Sequence, residues 1–107
     1  MNETYYIGSD LKFRFTLTAN GFDQDKNRFS ITIYSGNRSI TWCSWKPEDE
    51  EHFVHNPDGW FLLIPTEFLS TGPLKIVATA QVPDEDFPTS VRREVAVAPV
   101  GTIKKVN

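Results

Sequence analysis

Leu11, Phe13, Phe15, Leu17 and Ala19 alternate with Lys12, Arg14, Thr16 and Thr18. A period of two puts one face in oil and the other in water, which predicts a strand over 11–19. Asn20-Gly21 stops it, and the polar run 23–28 leads to a second alternation, Phe29, Ile31 and Ile33 against Ser30, Thr32 and Tyr34. Ser35-Gly36-Asn37-Arg38 tolerates positive φ, and Ser39 to Trp45 resumes β-branched and aromatic content, so a hairpin is expected there. The stretch Lys46 to Gly59 shows neither apolar period and reads as a long exposed loop. Trp60 to Ile64 is continuously apolar and too short for a helix, which predicts a buried strand ending at Pro65. Thr66 to Gly72 reads as one helical turn, with Thr66 as cap and Gly72 as stop.

Further strands are expected over Leu74 to Val82 and over Val91 to Ala98, separated by Pro83-Asp84-Glu85-Asp86-Phe87-Pro88. Pro99 divides the second of these from a short tail around Val100 and Ile103. With Tyr5 to Ile7 the total is about seven strands, the number expected of an antiparallel two-sheet β-sandwich of about 100 residues. A chain of 107 residues holds one core of useful size, so 1–107 is read as a single all-β domain.

Charge narrows the partners. Fourteen acidic against 11 basic side chains, for a net charge of -3, argue against a broad footprint for nucleic acid or an anionic membrane. The longest wholly apolar run, Trp60 to Pro65, is far short of the ~20 residues a membrane helix needs. The run Met1 to Gly8 lacks the charged start and apolar core of a secretory signal, so export of the chain as given is not expected by that route. One cysteine, Cys43, cannot close an intrachain disulfide, which leaves the fold to core burial and backbone pairing.

The candidate chemistry is thin. Cys43, His52 and His55 are the soft metal or nucleophile candidates, and their spacing matches no ligand or catalytic motif. No catalytic set, no cofactor and no enzymatic activity are expected. Asp23 and Asp25 in one loop, Glu48 to Glu51 in another, and Asp84 and Asp86 in a third offer oxygen to calcium, without the spacing of an EF-hand. Solvated turns are the default for all three. Trp42, Trp45 and Trp60 are the candidate binding residues, as a hot spot for a protein partner or a stacking platform for sugars. Trp42 and Trp45 stand three apart, so a regular strand would send one inward and one outward. Arg92 and Arg93 are expected to pair with acidic neighbours such as Asp84 and Asp86. Asn2-Glu3-Thr4 and Asn37-Arg38-Ser39 match glycosylation acceptors, which matter only in a eukaryotic secretory route.

Three stretches carry a resemblance. Ile7-Gly8-Ser9-Asp10-Leu11-Lys12-Phe13, Ala19-Asn20-Gly21-Phe22-Asp23-Gln24-Asp25, and Val82-Pro83-Asp84-Glu85-Asp86-Phe87-Pro88 with Arg92-Arg93-Glu94-Val95 resemble small uncharacterised proteins of phages and prophages in gut Bacteroidetes. The same layout is similar to the immunoglobulin-like N-terminal domain of phage baseplate upper proteins. The resemblance spans about Tyr5 to Val97, rests on loop and strand signatures, and brings no site residues with it. It implies an immunoglobulin-like β-sandwich acting as a virion structural protein in a tail, baseplate or fibre. Its partners would be other virion or assembly proteins, including copies of itself, in the particle or in the host cytoplasm during assembly. Baseplate upper proteins extend beyond this domain and the present chain does not, so a free-standing adaptor or decoration subunit is expected. The competing expectation is a carbohydrate-binding or adhesion module, assisted by calcium in the acidic loops.

Overall fold

The computed structural model describes residues 3–106. Eight strands run in the order β1 (Glu3–Tyr6), β2 (Asp10–Phe15), β3 (Phe29–Ser35), β4 (Arg38–Cys43), β5 (Phe53–Asn56), β6 (Gly59–Pro65), β7 (Gly72–Pro83) and β8 (Val91–Lys104), with a 3₁₀ turn at Pro47–His52. They form two sheets, β1-β8-β7-β3-β4 and β2-β6-β5. All pairings are antiparallel except that of β1 with β8. The result is an immunoglobulin-like β-sandwich: the alternating patterns imply the two-sheet sandwich, and the resemblance its immunoglobulin-like form.

The core lies where the inward residues of the two sheets meet. On β3 the odd positions Phe29, Ile31, Ile33 and Ser35 are buried. Their partners on β7, Ala80, Ala78, Ile76 and Leu74, continue the same inner face. From the facing sheet, Leu11, Leu62 and Ile64 close the interior, and Phe29 meets Phe53 and Trp60 edge to face, with ring centroids 5.3 and 5.5 Å apart. At one end, Gly36 (φ 55°) and Gly72 (φ 130°) lie back to back. A Cβ on Gly36 would fall 2.2 Å from the Thr71 carbonyl oxygen, so only glycine fits there.

Four expectations change. The strand expected over 11–19 pairs only from Asp10 to Phe15, because its partner β6 begins at Gly59 and Thr16 onward finds no neighbour. The segment 46–59 is no plain loop: it holds the 3₁₀ turn and β5, which pairs with β6 through a tight turn at Asn56 to Gly59. The Asn56 side-chain oxygen accepts the Asp58 N–H at 2.9 Å, the local bond that makes Asn-Pro-Asp-Gly a turn. Thr66 is buried, but its hydroxyl caps no helix. It donates to the Ser9 carbonyl at 2.6 Å and accepts from the Gly8 N–H at 2.9 Å, pinning the β1–β2 turn to the end of β6.

The fourth change concerns Pro99, which does not divide the chain. β8 runs through it for 14 residues, with a bulge opposite Leu74/Lys75. Proline is tolerated because its nitrogen lies on the side of β8 where, among the described residues, no strand pairs with it.

Candidate functional site

The phase of the β7–β8 ladder follows from two bonds. The Asp84 N–H donates to Ser90 C=O across the hairpin, and the Gln81 N–H donates to Arg28 C=O toward β3. Backbone groups alternate sides along a strand. Residues 92, 94, 96 and 98 of β8 therefore turn their N–H and C=O groups to β7, while Val91, Arg93, Val95, Val97 and Pro99 turn theirs away. After the bulge the phase reverses, and Lys104 accepts the Ile7 N–H at 3.0 Å on the β1 side.

Among the described residues β1 covers that outer edge only from Gly101 to Lys104. Gly101 permits the approach, since a Cβ there would lie 2.3 Å from the Glu3 carbonyl oxygen. Among the described residues no strand pairs with the outer edge of β8 from Val91 to Pro99. Side chains confirm the openness: Val95 is 62% and Val97 58% exposed, and every residue from Arg93 to Pro99 is exposed.

The same flank is open between the sheets. β2 is the edge strand of the facing sheet, and between it and β8 lies a groove of about 310 Å³ lined by Phe13, Phe15, Leu17, Ala78, Ala96 and Ala98, among others. The groove exists because the inner face of β7 and β8 carries alanines at 78, 80, 96 and 98, too short to reach the opposite sheet. At its upper end Arg92 donates to the carboxylates of Asp84 and Glu94 and to the Asn20 carbonyl at 2.8 Å. Hydrogen bonding to Glu94, then to Asp84, raises the guanidinium pKa and ties the hairpin to the loop after β2.

The three tryptophans part company. Trp42 is 3% exposed, with His52 stacked on it at 3.6 Å and Phe68 edge-on, so as a candidate binding residue it is corrected to a core residue. Trp45 lies in the turn beyond β4, outward, with the Arg28 guanidinium 5.6 Å above its ring. Trp60 packs against Phe15 and Phe29, is covered by His55 at 4.3 Å, and donates its Nε1 proton to Asp25 at 2.9 Å. Trp45 and Trp60 border one open slot of about 450 Å³ with Lys46, Glu50, Phe53 and His55.

Asp23, Asp25 and Asp84 have partners within the protein. Asp23 accepts the Asp25 N–H at 3.0 Å, Asp25 faces Trp60 and His55, and Asp84 accepts from the Asp86 N–H at 3.0 Å and from Arg92. No group of three or more His, Cys, Asp or Glu side chains among the described residues is arranged to hold one ion. Cys43 is buried, on a strand that the 3₁₀ turn touches through Asp49, which accepts the Cys43 N–H at 2.9 Å; His52 and His55 each stack on a different tryptophan. The acceptor residue Asn2 lies outside the described residues.

The sequence reading missed the open flank. Its one signal was the run Val95-Ala96-Val97-Ala98, apolar at every position although only one face of an edge strand meets the core. Comparison with protein-family models, with curated proteins and with solved structures found no match to the chain.

Proposed function

We propose that the chain is a non-enzymatic structural or protein-interaction module, a tail or baseplate-type component of a phage or prophage, which joins its neighbours through the flank between β2 and β8. The observation that carries this reading is the uncovered edge of β8 beside an apolar groove. Sandwiches guard such edges with charge, proline or bulges. Here Arg92, Arg93 and Glu94 stand at one end and Pro99 with the bulge at the other, while Val95 to Ala98 between them are unguarded. The type of assembly comes from the resemblance to phage proteins alone.

The test is coexpression with the products of the neighbouring genes, one at a time. A stoichiometric complex that Val95→Pro abolishes, without a change in the melting temperature of the domain itself, is expected. A complex that survives the edge-blocking change, or no complex with any neighbour or with itself, overturns the reading.

The slot beside Trp45 favours the second reading, a carbohydrate-binding or adhesion module. An indole face with Glu50 and Lys46 nearby suits a sugar ring. Against it, His55 covers Trp60 and Trp42 is buried, which leaves one ring where a platform needs two. A glycan array, with and without calcium, decides it: binding lost in Trp45→Ala supports a sugar site, and silence removes it.

A further inference from the structure

Resting on the interaction reading, we propose that the partner on the β8 edge is a second copy of the same chain, paired antiparallel about a two-fold axis at Val95. The free segment, Val91 to Pro99, has Val95 at its centre, and beyond Pro99 the edge is taken by β1. An antiparallel copy centred on Val95 sets Val95 opposite Val95, Arg93 opposite Val97 and Val91 opposite Pro99. All of these are residues whose N–H and C=O groups point outward, as the hydrogen-bonded pairs of an antiparallel ladder require.

In that register every outward N–H of one strand meets an outward C=O of the other, for about eight hydrogen bonds. One mismatch would be expected, because Pro99 has no N–H to give to the Val91 carbonyl. That carbonyl already accepts the Thr89 hydroxyl at 3.3 Å, so nothing is left unpaired. A shift of the register by one pair toward Arg93 brings Glu94 opposite Glu94. A shift the other way drives Val91 of the second copy into the place of Glu3 on β1. A further shift, onto Arg93, sets Arg93 opposite Arg93, so of these registers the one centred on Val95 is free of conflict.

Side chains agree with it. Glu94 faces Ala96 and Arg92 faces Ala98 on the inner side, with no like charges opposed, and on the outer side the exposed Val95 meets its own copy while Val97 lies opposite Arg93. The axis is normal to the sheet, so the two apolar grooves lie on the same side and meet across it. A ribbon of this length is small as interfaces go, which predicts an equilibrium between monomer and dimer rather than a permanent pair.

Sedimentation velocity of the whole chain over about 1 µM to 1 mM spans the affinities such an interface reaches. A mass rising from monomer to dimer is expected, and Val95→Pro stays monomeric because its ring replaces an outward N–H and spares the β7 ladder. Two cysteine variants read the register without depending on that one. Across the axis the Cα atoms of residue 95 would stand about 5.5 Å apart, within disulfide reach, while those of residue 97 would stand roughly 14 Å apart. Val95→Cys should cross-link at least tenfold more than Val97→Cys, with the wild type, whose Cys43 is buried, as control. Equal cross-linking of the two variants overturns the register. A monomer throughout that binds a neighbouring protein through the same edge overturns self-pairing and leaves the interaction reading standing; a monomer that binds no neighbour overturns both.

Discussion

Trp42 and Trp45 look alike in the sequence and do opposite work. Trp42 is enclosed by His52 and Phe68, so Trp42→Ala should cost about 3–5 kcal/mol in a urea titration. Trp45→Ala removes an outward ring and an exposed cation–π contact, a loss of about 1 kcal/mol or less by the same measurement. The spacing suggests opposite sides on the assumption of one regular strand, but β4 ends at Cys43 and it is the turn that carries Trp45 outward. Which of them is inside was not legible, because it depends on β4 ending at Cys43 and on a histidine from the 3₁₀ turn arriving to stack. The Arg92 to Asp84 pair was legible, since the two residues flank one turn. The covering of Trp60 by His55 was hidden in a segment taken for loop.

Tyr5 gives the residue scale its pH dependence. Burial against Phe13, and then the nearby Glu3 charge, push its phenol above the ordinary value. A raised folded-state pKa stabilises the protonated form. The contribution is complete below the unfolded phenol pKa of about 10 and is lost as pH rises through the folded value. Stability should therefore fall more steeply above that pH in the wild type than in Tyr5→Phe, as alkaline thermal melts would show.

Among the elements, alternation proved to report faces and not partners. Leu17 and Ala19 remain half-buried after β2 has ended, so the pattern over 11–19 correctly shows what points at the core although strand pairing stops at Phe15 and the Leu17 N–H is taken by the Gln24 side chain. Pro99 misled in the opposite sense: proline signals a break, but on an edge that no described strand covers its missing N–H removes no ladder bond. Thr66 read as a helix cap because threonine before a short apolar stretch usually is one. Its buried hydroxyl instead joins two elements far apart in the chain, a relation that no local pattern encodes. Thr66→Val keeps the shape, leaves the Gly8 N–H without its partner and leaves the Ser9 C=O with the residue 66 N–H alone, which should cost about 1–3 kcal/mol in a urea titration.

At the scale of the whole molecule, the two sheets differ in length. The strands β7 and β8 run for 12 and 14 residues against the six of β2, so the long hairpin overhangs the shorter sheet and draws the molecule out to 53 × 29 × 27 Å. The alanines under that overhang leave the groove, and the early end of β1 pairing leaves the edge. The sandwich was legible from strand number and alternation. Its open flank was not, because which edges stay unpaired is set by strand order, and strand order is written in no single segment.

Amide hydrogen exchange, resolved residue by residue at two protein concentrations, tests that flank most directly. In dilute protein the amides of Ala96 and Ala98 should be protected by β7 while those of Arg93, Val95 and Val97 exchange freely. In concentrated protein the second set should become protected as well. Protection of Val95 and Val97 already at dilution, or the opposite parity along β8, would contradict the account.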